Sequence, residues 1–273
     1  MITTAELHRA AAREGLRFDQ AEKDYLILWI LSSLVMGLDD PTRWVFKGGT
    51  CLRHCYYAGY RFSEDMDFSC RSGNENLEES VAILTRAARI LEDKTGMEIT
   101  VKAAQESAGQ KQLEIPIHYS RGRPRRQGLP AVRVHLTFDE PILTPTEVCR
   151  VEPLFSDLTS FRLVAYSKIE IVAEKLRALL QQQEKWPRPR DLYDLWYVLC
   201  HKAEKLPGRE LREIFARKCA VRNAEPDLHR LTSENLREWN REAWKNQLAP
   251  MMKSMPDYEM VWTDWVQVVA EIL

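Results

Sequence analysis

The chain has 273 residues, with 40 acidic against 39 basic side chains for a formal net charge of -1, 45% apolar residues and 29% charged ones. This composition excludes disorder as the dominant state, and 11 glycines and 13 prolines are too few for a collagenous or low-complexity chain. The near-zero net charge excludes a long-range field that would draw in nucleic acid, so any basic site must be local.

The length predicts one large domain or two modest ones, either able to bury a core. No run approaches the roughly 18 apolar residues that a membrane helix needs. The nearest, residues 25 to 38, is interrupted by Ser32 and Ser33. Glu6, His8, Arg9, Arg13 and Glu14 lie where a signal peptide would need its apolar segment. The expected location is therefore the cytoplasm, and the six cysteines are expected to be reduced thiols.

Taken in order, residues 4 to 37 predict two helices, the first on Leu7, Ala10, Ala11 and Leu16, the second on Leu26, Leu28, Ile30, Leu31 and Leu34. A short strand follows at 44 to 47. Gly48 and Gly49 break the chain, Thr50 reads as a helix cap, and 51 to 57 as a short helix ending near Gly59. Residues 65 to 69 read as a strand, 77 to 94 as a helix, and 113 to 119 and 131 to 138 as two more strands around the loop 120 to 130. The proline-bearing stretch 141 to 153 reads as a connector between lobes. Beyond it every segment reads as helical: 166 to 183 with its stripe Ile169, Val172, Ala173, Leu176, Leu179 and Leu180, then 190 to 201, 208 to 220, 233 to 248 and 258 to 272. The layout is an α/β lobe followed by an all-helical one.

The strongest local feature is Phe46-Lys47-Gly48-Gly49-Thr50 followed by Asp65-Met66-Asp67. Positions i and i+2 of a strand share a face, so Asp65 and Asp67 set two carboxylates side by side and need a cation between them. Mg²⁺ suits, being held by few protein oxygens and completed by substrate phosphates. Gly48 and Gly49 let backbone approach phosphate oxygens, and the N–H groups of the helix opening at Thr50 point at the anion. Either feature alone is common in solvated turns; in strand-turn-helix-strand order they make a site for a nucleoside triphosphate.

Lys168 and Lys175 lie two helical turns apart on one face bordering the apolar stripe. Such a lysine either snorkels, with its stem over apolar surface, or extends its amine toward phosphate. Asp191 and Asp194 share a face near a helix start, where a carboxylate either joins a site or only complements the helix dipole. Arg121, Arg123, Arg125, Arg126 and Arg133 form a local basic stripe that either engages an RNA backbone or stays a solvated loop. Cys51, His54 and Cys55 lack a second pair at zinc spacing, and Cys51 and Cys55 read as buried on one helix face. Walker loop and nucleophile elbow are both absent.

The segment FKGGTCLRHCYYAGYRFSEDMDFS resembles the first motif of the AbiEii and MenT nucleotidyltransferase toxins, relatives of the DNA polymerase β superfamily. The preceding EKDYLILWIL helix, the Lys-x-Glu-x4-Lys at 168 to 175 and RPRDLYDL at 188 to 195 extend the resemblance over about residues 20 to 200. It implies an α+β fold: a polymerase β-like nucleotidyltransferase lobe with a mixed sheet in residues 1–150, and a helical lobe in 151–273 that completes the active-site cleft. It also implies an Mg²⁺-dependent toxin of a bacterial toxin–antitoxin or abortive-infection system that transfers NMP from an NTP to an RNA 3′ end, in some members that of tRNA, and is countered by an antitoxin protein. Gly49 and Thr50, with Gly48, Ser63 and Lys168, would hold the nucleotide. Asp65 and Asp67 would bind metal, Lys175 would contact phosphate, and Asp191 would complete the site. Phosphorylation of Ser63 would repel NTP. One departure stands out: His135 occupies the later strand position where superfamily members carry a third carboxylate, leaving Glu114 or Asp139 as substitutes. A degenerate NTP- or RNA-binding regulator and an enzyme that places the nucleotide on protein are the competing readings.

Overall fold

The structure is a computed structural model that describes residues 1–71, 77–102, 105–106, 112–122 and 129–272. The chain divides into two compact units, one of residues 1–142 and 146–166, the other of residues 143–145 and 167–273.

In the first unit, helix α1 (Thr4–Glu14) starts where Thr3 and Glu6 satisfy each other's backbone N–H groups, and it stops at Gly15, whose φ of 69° suits glycine. Helix α2 (Phe18–Gly37) is buried on nearly every face from Gln20 to Leu34. Its long apolar run must be enclosed, and α2 packs against α1 and α4 (Leu77–Thr95) and lies against the sheet. That sheet comprises β1 (Trp44–Lys47), β2 (Asp65–Cys70), β3 (Glu98–Val101), β4 (Gln105–Glu106), β5 (Gln112–Ser120), β6 (Ala131–Thr137), β7 (Glu147–Val151) and β8 (Phe161–Ala165). Their order is β3-β5-β6-β2-β1-β8-β7, with β4 also paired to β5. The β2/β6 and β1/β8 pairs are parallel and the others antiparallel, which is the mixed sheet expected. Central β2 is thus flanked by β1 and β6, whose residues close around it.

Three local expectations are corrected. Thr50 is no cap: the helix α3 (Gly48–Cys51) begins two residues earlier and widens into a π-helical turn at Leu52–Tyr56. The stretch read as a connector contains β7, and β8 lies in what read as helical, so the sheet extends past residue 150 to Ala165. Strand β3 also escaped the pattern reading.

The second unit is helical, with α5 (Lys168–Leu180), α6 (Pro189–Trp196) and its π-helical extension Tyr197–His201, α7 (Gly208–Val221), α8 (Glu234–Leu248) and α9 (Tyr258–Ile272). Ser167 caps α5 by accepting the Glu170 N–H. Glu170 and Lys218 form a fully buried ion pair at 2.9 Å between α5 and α7.

Candidate active site

The turn from β1 into α3 is built on a glycine that no other residue can replace without movement. Gly48 has φ +79°, and a Cβ there would lie 2.2 Å from Asp67 Oδ2. The carboxylate of Asp67 therefore occupies the space a side chain would take. At Gly49 a Cβ would come within 2.8 Å of an Arg61 nitrogen and 3.1 Å of Ser63 Oγ. Thr50 is fully buried; its hydroxyl donates to the Asp65 carbonyl and lies 2.9 Å from Ser63 Oγ. Its side chain thus ties α3 to β2 and does not face solvent.

Asp65 and Asp67 stand on one face of β2, as the two-residue period requires. Register places Asp67 opposite Lys47 on β1 and opposite His135 on β6, and His135 opposite Glu114 on β5. A polar row therefore crosses four strands. His135 Nδ1 lies 2.9 Å from Asp67 Oδ1 and its Nε2 3.5 Å from Glu114 Oε2. Arg133, opposite Asp65, bonds Glu114 at 2.9 Å and approaches Asp65 Oδ1 to 4.0 Å. Lys47 leaves the row, its buried amine 3.6 Å from Glu140 and over the Tyr166 ring.

Burial, and after it the charge of Asp67, raises the Asp65 carboxyl above its ordinary range. Burial alone would lower His135, but the hydrogen bond to Asp67 and the charges of Asp67, Asp65 and Glu114 outweigh it and push the imidazole up to about 9. The acidic surroundings of His135 thus favour its protonated form. Glu114 lies in this cluster, beside His135 and Arg133.

The carboxylate pair fits a hard dication: both carboxylates share one face of β2, and burial with the adjacent Asp67 charge makes the anionic form of Asp65 costly without a cation. Among the described residues no three His, Cys, Asp or Glu side chains converge on a metal position. Mg²⁺ does not require such a cage, since water and phosphate oxygens complete its shell. The resemblance brought His135 and Glu114 to the site, but their pairing with Asp67 and Arg133, and the place of Lys47, depend on strand register, which is not local information.

In the helical unit, Lys175 is buried between Asp191 Oδ1 at 2.8 Å and Asp194 Oδ2 at 2.6 Å. Arg188 reaches the other Asp191 oxygen at 3.3 Å. Burial raises the Asp191 carboxyl, but Lys175 and Arg188 overcome it and hold it below the usual range. Asp191 is therefore engaged in an ion pair, more than a helix-dipole complement. Asp194, three residues on and wholly buried, completes the clamp; its spacing was visible in the sequence, its partner was not. Lys168 pairs with Glu204 at 2.6 Å, so its amine is already engaged within the unit.

The Arg121 side chain turns inward, donating to the Ile2 carbonyl at 2.8 Å and lying over the Tyr25 ring, with Glu22 at 3.8 Å. This corrects its assignment to an RNA-facing stripe. Arg123, Arg125 and Arg126 fall outside the described residues. His54 lies 3.2 Å from Asp24, Cys51 is buried and Cys55 partly so.

Among solved structures, MenT4, a nucleotidyltransferase toxin from Mycobacterium tuberculosis H37Rv, shares the fold at TM-score 0.61 and 18% identity, over 100% of this chain and 99% of its own. A putative nucleotidyltransferase from H. pylori aligns at TM-score 0.58 and 18% identity, covering 94% of this chain and 96% of that one. JHP933 from Helicobacter pylori aligns at 0.54 and 18%, covering 94% and 93%. A search of curated proteins gives no match. The model of the family described as nucleotidyl transferase AbiEii toxin, type IV toxin–antitoxin system, matches residues 29–270. With that match spanning both units, this chain belongs to the AbiEii nucleotidyltransferase toxin family.

Proposed function

We propose that the chain is an Mg²⁺-dependent toxin that transfers NMP from an NTP to an RNA 3′ end, that of the tRNA acceptor stem, and so blocks translation in the cytoplasm until a cognate antitoxin protein neutralises it. The RNA 3′-hydroxyl attacks the α-phosphorus in line. The O–P bond forms as the bond to the bridging oxygen breaks, pyrophosphate leaves, and the hydroxyl proton passes to solvent.

The observation that carries this reading is the Asp65–Asp67 pair on one face of β2, with the Asp67 carboxylate set directly against the Gly48 backbone because no Cβ is there. Asp65 and Asp67 would hold Mg²⁺, which when bound supplies positive charge to the triphosphate. Gly48 and Gly49 would present backbone to phosphate oxygens. Thr50 and Ser63 would keep β2 and the glycine turn in register through their mutual contact. His135 would hold Asp67 in one rotamer through Nδ1. Lys175, fixed by Asp191 and Asp194, would contribute a positioned positive charge to phosphate. Lys168 is kept as a further nucleotide contact that must first exchange Glu204 for phosphate.

The test is incubation of purified protein with Mg²⁺, total RNA and each α-labelled NTP in turn, resolved on a denaturing gel beside Asp65→Ala. Label on RNA with the wild type alone is the expected result. Label on protein bands would move the acceptor to a protein hydroxyl. No label with any NTP would leave a binding regulator, and equal labelling by a folded Asp65→Ala would remove the site assignment.

A further inference from the structure

The turn between α5 and α6 presents an aromatic side chain that the fold does not use. Trp186 is 73% exposed, and among the described residues its indole makes no ring or cation contact. Solvated tryptophan is unusual, since its large apolar area gains most from burial.

The backbone beneath it is well anchored. The Trp186 N–H donates to the Gln183 carbonyl at 2.8 Å, and the two residues pair as an isolated bridge. Gln182 is buried; its Oε1 accepts the Arg188 N–H at 2.9 Å and Asn240 Nδ2 at 3.1 Å. Pro187 and Pro189 fix φ on either side of Arg188. The indole is therefore carried by a pre-organised turn, which lowers the entropy lost when something stacks on it.

Its surroundings are cationic. Lys185, Arg188 and Arg190 are exposed, against the single acid Glu184 in residues 181–190. Arg188 also reaches Asp191, so the turn runs directly into the Lys175 clamp. An exposed aromatic ring flanked by cations is the combination that holds single-stranded nucleic acid: a base stacks on the ring while phosphates meet the charges. A duplex hides its base faces, and an acidic protein surface would use the cations but not the ring.

We propose that Trp186 is a stacking platform for an unpaired base of single-stranded RNA, with Lys185 and Arg190 engaging the phosphates beside it. The proposal takes its biological meaning from the RNA-directed transfer proposed above, but binding can be measured without transfer.

The experiment titrates the full chain into a short unstructured fluorescein-labelled RNA, read by anisotropy, with a blunt RNA duplex as control. Trp186→Ala should weaken single-strand binding about tenfold, Trp186→Phe should retain most of it, and circular dichroism should be unchanged for both. Lys185→Gln should lower the slope of log affinity against log salt by about 0.7. In the transfer assay Trp186→Ala should raise KM for RNA and leave KM for NTP alone. Wild-type affinity in Trp186→Ala, an equal loss on duplex, no RNA binding by the wild type, or a rise confined to KM for NTP would each overturn the platform. A wild type that binds through Trp186 yet transfers no label would sink the transferase reading alone. A Trp186→Ala that binds and transfers like an active wild type would sink the platform alone.

Discussion

Gly48 shows how one absent atom can decide a site. Two glycines with nearly equal positive φ separate the two effects: Gly48 at +79° faces Asp67 Oδ2, whereas at Gly59, with φ +73°, a Cβ meets nothing within 4 Å. Gly59→Ala should cost only the left-handed backbone penalty, roughly 1–2 kcal/mol, with the transfer rate unchanged. Gly48→Ala must also displace a carboxylate, and misplacement of about an ångström is worth about 10²-fold in rate. Thermal melting and transfer assays on the pair check this; equal activities would show that Asp67 need not stay where it is. Asp194 provides the second test at this scale. It is wholly buried and shares Lys175 with Asp191, so Asp194→Ala leaves half of a buried clamp unmatched. Its urea midpoint should fall by an amount equivalent to about 3 kcal/mol. Asp194→Asn, which keeps an oxygen acceptor at the amine, should lose less. The carboxylate spacing at 65 and 67 was legible in the sequence because the strand period is local. The imidazole between Asp67 and Glu114 was not, because it depends on β6 and β5 arriving in one particular register.

At the scale of elements, legibility followed burial pattern. Helix α2 carries a long apolar run, and α4, α5 and the later helices carry apolar stripes, so each announced itself. Strand β7 did not: it stands at the sheet edge, Val148 is 67% exposed, and only Cys149 and Val151 turn inward. Strand β8, five residues long, joins β1 through a single registered pair, Phe46 with Ala165. Its strand state is imposed by the neighbours it meets, a tertiary override that no five-residue window displays. The helical unit has a comparable hidden determinant. Glu170 accepts the N–H groups of Leu143 and Thr144 at 2.8 and 3.0 Å and the Thr144 hydroxyl at 2.7 Å, and faces Lys218. One carboxylate thus binds residues 143–145 and α7 to α5. Lys218→Met keeps volume and removes the cation, leaving a buried anion. The expected cost is about 3–5 kcal/mol by urea unfolding, and a loss below 1 kcal/mol would mean that the local donors alone satisfy Glu170.

For the whole molecule, a net charge of -1 means that acid sensitivity cannot come from global repulsion near neutrality. Particular carboxylates set where it begins. Asp24 on α2 is enclosed by Arg53 at 3.1 Å and His54 at 3.2 Å, both on the π-helical turn that follows the glycine pair. Burial raises its carboxyl, but the charges of His54 and Arg53 prevail and hold it far below the ordinary carboxylate range. Asp191 is lowered in the same sense by Lys175. A carboxyl depressed in the folded state contributes stability that is complete above its unfolded pKa, near 4, and is lost as pH falls toward the folded value. Urea midpoints should therefore hold level down to about pH 5 and then fall steeply. Asp24→Asn should start lower at pH 7, having lost the ion pairs, and fall less steeply in acid because one proton-linked step has been removed. An acid limb as steep as that of the wild type would assign the sensitivity elsewhere. Because Asp24 fixes the turn that follows Gly48 and Gly49 to the most buried helix of the unit, acid should disturb the candidate site together with the core. Asp65, raised above the ordinary carboxylate range, protonates before Asp24 does, so transfer should fall at a higher pH than the urea midpoint; coincident losses would place the acid limit in the fold and not at the site.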